Sequence, residues 1–345
     1  MDEQLTYVLG SAHFLRAWNY FMLINTYGEP YNTSDPYGGL GIPLKTDPVI
    51  EETKFSRSNN GQAYDLIVND LKKSTSFLSA LSPGQNKRRV SANAAYTLLS
   101  RVYLYMEEYK LAVEATEKIN NLRLFNFQTE YVAGSGESFL LSENPEIIFM
   151  QGSSQIKTYF PGSGERIAGQ NGGLPFIRGG GYGVYTELAD MFDDNDYRYS
   201  AFFTRSYGLD ELVCRKVRET LSLQVTETDP VSGETVDIAN SLGTSFSETA
   251  SFRYAEVILN RAEALACMDD ANAVKTMTDF LSTRYKIPPS VPSGKEELIR
   301  FIRDERYKEL CFEGHRWFDL RRYAVNKILL YTRSIEHDHY QLVEQ

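Results

Sequence analysis

Residues 302–322 read I-R-D-E-R-Y-K-E-L-C-F-E-G-H-R-W-F-D-L-R-R, and this stretch decides the fold of the chain. Its three glutamates lie four residues apart: Glu305, Glu309 and Glu313. Like charges one helical turn apart repel each other, so nearby cations must neutralise them. We expect Arg316, Arg321 and Arg322, which follow the break at Gly314, to supply those cations.

A buried network of ion pairs is the structural interpretation of this stretch. Charged residues alternate here with large apolar and aromatic ones, and a buried carboxylate is tolerated only when it is paired and hydrogen-bonded. We predict that the network joins the last helical hairpin to the rest of the protein. Its predicted members are Glu305, Arg306, Glu309, Glu313, Arg316, Asp319 and Arg322.

The same carboxylates also admit an enzymatic interpretation. Glu305 and Glu309 could act as the acid and base of a glycosidase, or as metal ligands. Neighbouring arginines, however, lower the pKa of a carboxyl group and so remove the general acid. The glutamates also lack an accompanying His-x-x-x-His or Cys-x-x-Cys spacing. We therefore predict no catalytic residues, no metal site and no cofactor.

The composition is that of an ordinary globular protein. The chain has 345 residues, of which 42% are hydrophobic and 24% charged, enough to bury a sizeable core. Its net charge of -10 argues against a nucleic-acid partner, and the short basic cluster at residues 87–89 is interpreted as a solvated loop. Cys214, Cys267 and Cys311 have no metal-ligand spacing, and Cys267 and Cys311 are interpreted as small buried hydrophobic residues.

Helical periodicity recurs along most of the chain. Apolar residues predict a long first helix over residues 2–26, which Gly28 and Pro30 end. Further helices are predicted over residues 60–81, 91–106, 108–120, 252–265 and 271–285, and before residues 302–322. Small residues alternate with large aromatic ones in these helices, a pattern typical of tetratricopeptide-like hairpins.

The predicted fold class is mostly α. Helical hairpins over residues 1–120 and 252–323 are expected to stack, because each hairpin buries its apolar face only against a neighbour. Residues 121–251 are rich in glycine and turn residues, which predicts a large irregular, loop-rich insertion with a few short strands. We expect one domain over residues 1–345.

A long loop after the first helix contains the candidate ligand-binding residues. Residues 31–57 have turn-forming residues and no periodicity, and loops of this length are often functional. Two aromatic rings stand there beside short polar side chains, which suits the stacking and hydroxyl contacts of a sugar. The candidates are Tyr31, Asn32, Asp35 and Tyr37, with Tyr182 from the glycine-rich stretch. An alternative with equal support is a loop held by Asx turns.

Four stretches resemble, in order and spacing, the SusD/RagB family of surface glycan-binding lipoproteins of Bacteroidetes. They are L-R-A-W-N-Y-F-M-L-I-N-T-Y-G-E-P-Y at 15–31, A-A-Y-T-L-L-S-R-V-Y-L-Y at 94–105, R-Y-A-E-V-I-L-N-R-A-E-A-L at 253–265 and E-R-Y-K-E-L-C-F-E-G-H-R-W-F-D-L-R-R at 305–322. They come from both ends and the middle of the chain.

The resemblance implies a function and a location. It implies a lipoprotein at the outer membrane that captures an oligosaccharide and delivers it to a SusC-like TonB-dependent transporter, without catalysis. Family members begin with a lipoprotein signal and continue past the last motif, so we expect this chain to be a fragment. The alternative is a helical-hairpin scaffold for protein interactions that has no glycan site of its own.

Overall fold

The computed structural model describes most of the chain. The described residues are 2–50, 55–82, 86–132, 139–140, 143–153, 183–205, 212–216, 226–228, 235–237 and 247–330. Their eleven helices are α1 (Glu3–Tyr27), α2 (Asn60–Leu78), α3 (Ala92–Tyr105), α4 (Tyr109–Glu117), α5 (Phe127–Glu130), α6 (Thr186–Ala189), α7 (Tyr197–Phe202), α8 (Tyr254–Cys267), α9 (Asn272–Leu281), α10 (Lys295–Glu309) and α11 (His315–Tyr323).

Six short strands pair as three antiparallel two-stranded sheets. The strands are β1 (Ile147–Ser153), β2 (Phe203–Arg205), β3 (Leu212–Cys214), β4 (Thr226–Thr228), β5 (Thr235–Asp237) and β6 (Ser247–Arg253), paired as β1 with β6, β2 with β3 and β4 with β5. The predicted mostly helical fold with a few short strands is therefore confirmed. The helix predicted to end at residue 81 ends at Leu78 instead.

Local sequence signals fix the ends of the first helices. The backbone N–H of Gly28 donates to the carbonyl oxygen of Ile24 at 2.9 Å and closes α1. At the start of α2 the Asn59 side chain accepts from the Gln62 N–H, and the Gln62 side chain accepts from the Asn59 N–H. The two residues thus form a capping box. The hydroxyl of Ser91 accepts from Ala94 N–H at the start of α3.

The helices pack as hairpins around α8. Helices α1 and α2 pack against each other, as do α3 with α4 and α8 with α9, while α8 also contacts α3, α4 and α10. A Cβ atom at Gly10 would lie 2.7 Å from Leu78, so glycine allows α1 and α2 to approach closely. Helix α8 thus connects the N-terminal hairpins to the C-terminal helices.

The sheet formed by β1 and β6 joins the insertion to the helical core. Phe149 of β1 pairs with Phe252 of β6, with an irregularity in the register on both sides of Phe149. Both rings lie 5.9 Å from the ring of Phe14 in α1, and both contact Trp18. One strand of the insertion and the strand that leads into α8 therefore pack on the first helix.

Candidate functional site

The loop between α1 and α2, residues 28–59, is held closed at its base by hydrogen bonds. The buried amide of Asn60 donates to the carbonyl oxygens of Glu29 at 2.8 Å and Pro30 at 3.1 Å. The Asn60 N–H also donates to the carbonyl oxygen of Gly39 at 2.9 Å. Because Asn60 is the first residue of α2, the helix fixes the base of the loop.

A second set of bonds fixes the far side of this loop. Arg57 donates from Nε to the carbonyl oxygen of Gly41 at 2.7 Å and from Nη2 to the carbonyl oxygen of Tyr27. Ser58 donates to the Ile42 carbonyl oxygen through both its N–H and its hydroxyl. The loop is therefore preorganised in the described part of the chain, although it has no regular secondary structure of its own.

Tyr37 is the aromatic candidate of this loop that the structure exposes to solvent. Its side chain is 55% exposed, and its hydroxyl donates to Asp65 Oδ2 of α2 at 2.8 Å. That hydrogen bond to Asp65 raises the pKa of Tyr37. A Cβ at Gly61 would lie 2.6 Å from the Tyr37 ring, so the ring rests on a turn of α2 that has no side chain at this point.

The other candidates in the loop have different surroundings. The Tyr31 ring is half-buried and packs edge-on against Tyr64 with ring centroids 4.7 Å apart. Asn32 and Asp35 are exposed, and Asn32 Oδ1 accepts from the N–H of Ser34 at 2.9 Å, which is an Asx turn. The Asx turn expected as one interpretation of the loop is therefore present at Asn32, and sugar binding by the loop stays a prediction. Tyr182 lies outside the described residues.

Sequence reasoning missed two exposed aromatic residues at the edges of the loop. Tyr27, the last residue of α1, is 68% exposed, and Phe55 is 46% exposed with Lys45 Nζ 5.1 Å from its ring centroid. Two buried polar atoms, Thr33 Oγ1 and Asn60 Oδ1, have no hydrogen-bond partner among the described residues. A hydroxyl-rich ligand or water would satisfy them. One sequence signal could have pointed to Tyr27: it stands directly before Gly28, where the first helix is predicted to end and the loop begins.

Glu309 lies at the centre of a buried network of charges. It accepts from Arg253 Nη1 at 2.6 Å, Arg284 Nη2 at 3.0 Å and Arg198 Nη1 at 3.1 Å. Burial alone would raise the pKa of Glu309, but the three guanidinium groups outweigh burial and hold it well below its usual range. The surroundings of Glu309 thus favour its ionised form in the protein interior.

The other two glutamates of the 302–322 stretch belong to the same network. Glu313 accepts from Lys216 Nζ at 2.6 Å and from Arg253 Nε at 2.7 Å. Glu305 accepts from Arg198 Nη2 at 2.6 Å and from Lys308 Nζ at 3.0 Å. Among the described residues, the network contains five cations and five carboxylates, so the charges of these ten side chains balance. These ten residues are Arg198, Lys216, Arg253, Arg284 and Lys308 with Glu146, Asp196, Glu305, Glu309 and Glu313.

The cations of these ion pairs differ from those expected from the sequence. Four of the five come from outside residues 302–322. The guanidinium of Arg316 lies 3.9 Å from the ring centroid of Tyr307, and Arg321 donates to the carbonyl oxygen of Gly28 at 2.5 Å. Between the glutamates and these arginines the chain turns at Gly314, which has a left-handed φ of 80° and precedes α11.

A second buried group of charges joins α8, α10 and α11. Arg322 donates to both carboxylate oxygens of Glu263 at 2.8 and 2.7 Å and to Asp319 Oδ1 at 2.9 Å. Arg306 donates to Asp319 Oδ2 at 2.8 Å, and Arg303 donates to Glu263 at 3.0 Å. Burial alone would raise the pKa of Glu263, but Arg322 and Arg303 lower it to about 2.

These surroundings do not suit acid catalysis or metal binding. A general acid needs a raised pKa, whereas those of Glu309 and Glu263 are lowered. Within the described ranges, no group of three His, Cys, Asp or Glu side chains is arranged to hold a metal ion. In the same ranges, no helix is both long and apolar enough to span a membrane.

The described helices form stacked hairpins, and hydrogen bonds order the loop between α1 and α2. The SusD family model matches residues 180–343, and a second family model, described as starch-binding and associating with the outer membrane, matches residues 1–104. The chain belongs to the SusD/RagB family, whose members are non-catalytic binding proteins.

Individual relatives agree with this assignment. SusD-like protein P2 of Formosa agariphila is 24% identical over 97% of this chain and 68% of its own length. A SusD-like carbohydrate-binding protein from Bacteroides vulgatus superposes with a TM-score of 0.69 at 20% identity, covering 93% of this chain and 64% of that one. A putative sugar-binding protein from the same species superposes with a TM-score of 0.67 at 25% identity. The match covers 97% of this chain and 72% of that one. The chain spans about two thirds of the length of these relatives.

Proposed function

We propose that this chain binds an oligosaccharide through the loop at residues 28–59 and delivers it, at the surface of the outer membrane, to a SusC-like TonB-dependent transporter. The protein acts as a surface lipoprotein and makes or breaks no covalent bond in its ligand. The observation that supports this proposal best is Tyr37, an exposed ring fixed by Asp65 within the residues that the starch-binding family model matches.

The loop has the chemistry that a sugar ligand needs. A pyranose ring presents C–H groups on its faces and hydroxyl groups around its edge, so it needs an aromatic platform and short polar partners. Tyr37 supplies the platform, and the exposed Asn32 and Asp35 supply polar groups on the same loop. Because hydrogen bonds already order the loop, less conformational entropy is lost when the ligand binds.

The remaining candidates take supporting roles in this proposal. The half-buried Tyr31 holds the loop against Tyr64 of α2 and offers its ring edge to the ligand. Tyr182 stays a candidate contact from the insertion. The buried ion pairs around Glu309 position the helices that hold the loop and make no contact with the sugar.

Isothermal titration calorimetry with starch oligosaccharides such as maltoheptaose, followed by a panel of other soluble glycans, tests the proposal. We expect Tyr37→Ala to weaken binding about tenfold, because the stacking surface is lost. Tyr37→Phe removes only the bond to Asp65 and should have a smaller effect. Tyr185→Ala is the matched control, because Tyr185 is 56% exposed and its hydroxyl also bonds to a carboxylate, Glu187 Oε1 at 3.2 Å.

The possible outcomes separate a glycan-binding protein from a pure interaction scaffold. A glycan that binds the wild type and Tyr185→Ala with similar affinity, and Tyr37→Ala about tenfold more weakly, supports the site. Equal affinity of all variants places the sugar elsewhere and contradicts the role of this loop. If no glycan in the panel binds while the protein co-purifies with the transporter, the scaffold is the correct function.

A further inference from the structure

The Tyr37 ring lies along one turn of α2, with a carboxylate at its hydroxyl end. The ring rests on Gly61, and the hydroxyl donates to Asp65 Oδ2 at 2.8 Å, four residues further along the helix. Asp65 Oδ1 accepts no hydrogen bond from any described residue, and the side chain is exposed to solvent. A hydrogen-bond acceptor without a donor therefore stands beside the proposed aromatic platform.

Asp35 adds two acceptors on the loop side of Tyr37. Its carboxylate lies against Gly38, the residue that follows Tyr37, because a Cβ atom at Gly38 would come 1.8 Å from Asp35 Oδ2. The side chain is exposed, and in the described part of the chain neither of its oxygens accepts a hydrogen bond. Both ends of the platform thus carry a carboxylate oxygen that a ligand can reach.

Two further acceptors lie around the same loop. Glu108, the N-cap residue of α4, is exposed, and its side chain bonds to no described residue. Burial raises the pKa of Tyr31, and the charges of Asp65 and Glu108 raise it further, so both carboxylates act on the tyrosines of the loop. Asn60 is 1% exposed, and its amide nitrogen donates to two carbonyl oxygens, which leaves Oδ1 without a donor among the described residues.

The cations that contact this loop do not neutralise its carboxylates. Arg57 and Arg321 donate to backbone carbonyl oxygens, and Lys45 pairs with Asp47 at 3.2 Å. We call Asp35, Asp65 and Glu108 the loop carboxylates. None of the loop carboxylates forms an ion pair with a described residue. The surroundings of Tyr37 therefore combine negative charge with a surplus of hydrogen-bond acceptors.

We propose that the site at Tyr37 takes an uncharged saccharide and rejects acidic ones, with Asp65 Oδ1 and the Asp35 carboxylate accepting hydrogen bonds from ligand hydroxyl groups. A hydroxyl group donates, so it satisfies these acceptors. A uronate or a sulfate ester offers only acceptors and is repelled by like charge. Asp65 thus holds the Tyr37 ring and also contacts the ligand. This inference rests on the proposed function of the loop and names the class of its ligand.

Calorimetry with matched pairs of oligosaccharides tests the selectivity. The probes are maltoheptaose and laminarihexaose, each compared with the same chain after oxidation of its C6 hydroxyl groups to carboxylates. We expect a neutral chain to bind at least about tenfold more tightly than its oxidised form. The difference should shrink as salt rises, because ions screen the repulsion, whereas binding of the neutral chain should change little.

Removing the charges of the two aspartates should relax this selectivity. In D35N/D65N an amide oxygen can still accept from the Tyr37 hydroxyl, so the ring stays in place. We expect the neutral chain to bind about fivefold more weakly and the oxidised chain more tightly than to the wild type. Glu187→Gln is the matched control, because Glu187 is also an exposed carboxylate that accepts from a tyrosine, Tyr185, at 3.2 Å. Both affinities should then equal those of the wild type, and far-UV circular dichroism checks that each variant is folded.

Failure of this selectivity is distinct from failure of the proposed function. Equal affinity for a neutral chain and its oxidised form, tighter binding of the oxidised form, or unchanged selectivity in D35N/D65N overturns the inference, while glycan binding stands. Tighter binding of a glucosamine hexamer, which carries protonated amines, than of either neutral chain would make a cationic saccharide the ligand and would also overturn it. If no saccharide of any charge binds, the proposed function itself is wrong, and this inference with it.

Discussion

Three guanidinium groups converge on Glu309, and this convergence makes the residue sensitive to loss of its charge. Glu309→Gln keeps the size of the side chain but leaves Arg198, Arg253 and Arg284 buried with too little negative charge. Breaking a buried ion pair from one side costs about 3–5 kcal/mol. We therefore expect the free energy of unfolding to fall by about that amount in urea denaturation.

The control for this measurement is an ion pair at the surface. Asp279 accepts from Lys275 Nζ at 2.6 Å, but both side chains are more than half exposed. Asp279→Asn should therefore change stability by less than about 1 kcal/mol. Similar losses for Glu309→Gln and Asp279→Asn would contradict a stabilising role for the buried network.

Glu263 makes stability depend on pH in the acid range. Its pKa is lowered from 4.5 to about 2 by Arg322 and Arg303, so the folded state binds its proton less readily than the unfolded state. The contribution is complete above pH 4.5 and is lost as pH falls from 4.5 towards 2. A shift of this size corresponds to about 3 kcal/mol.

Urea denaturation at a series of pH values measures this contribution. The wild type should lose stability steeply between pH 4.5 and 2. Glu263→Gln should be less stable than the wild type above pH 4.5 and should lose less stability over the same range. Other buried carboxylates, such as Glu309, have lowered pKa values too, so part of the slope will remain in the variant. Parallel profiles for the two proteins would show that folding does not lower the pKa of Glu263.

At the scale of the element, the first turn of α2 positions the candidate ligand platform. The N-cap Asn59 and the buried Asn60 hold the helix start and the base of the loop, and Gly61 leaves room for the Tyr37 ring. The helix and the loop are therefore coupled through three consecutive residues. A change that leaves the helix intact can still disturb the loop.

Gly61→Ala separates helix stability from loop position. Alanine favours a helix interior by about 0.5–1 kcal/mol over glycine, so the fold should be retained. The added Cβ would lie 2.6 Å from the Tyr37 ring and 3.0 Å from the Pro36 carbonyl oxygen, so the ring must move. We expect glycan affinity in calorimetry to fall about as far as in Tyr37→Ala.

A double-mutant cycle decides whether this loss acts through Tyr37. If it does, adding Gly61→Ala to Tyr37→Ala should lower the affinity no further. Additive losses would mean that Gly61 affects the ligand by a route other than the tyrosine.

The sequence predicted the helices far better than it predicted the tertiary contacts between side chains. Helices such as α1 and α3 were predictable because their apolar residues repeat with a helical period. The partners of Glu309 were not, because Arg198 and Arg253 lie 111 and 56 residues away along the chain, and no local pattern links them. In the loop, composition suggested an aromatic site, but only the position of Tyr64 shows that Tyr31 is half-buried.

At the scale of the whole molecule, buried charges join the two ends of the chain. Arg101 of α3 donates to both carboxylate oxygens of Glu256 of α8 at 2.6 and 2.7 Å, across 155 residues of sequence. Arg321 of α11 reaches back to the carbonyl oxygen of Gly28. Because these contacts connect the N-terminal hairpins to the C-terminal helices, we propose that residues 1–345 unfold as one domain.

The two tryptophans allow this proposal to be tested. In Trp317→Phe the remaining Trp18 of α1 reports on the surroundings of its own ring, which packs against Phe14, Phe149 and Phe252, whereas far-UV circular dichroism reports on all helices. One cooperative domain predicts that the two signals change at the same urea concentration. Trp317 is 58% exposed, so its replacement should cost little stability. Separate transitions for fluorescence and dichroism would instead mean that the hairpins of residues 1–120 unfold independently of the helices at residues 252–323.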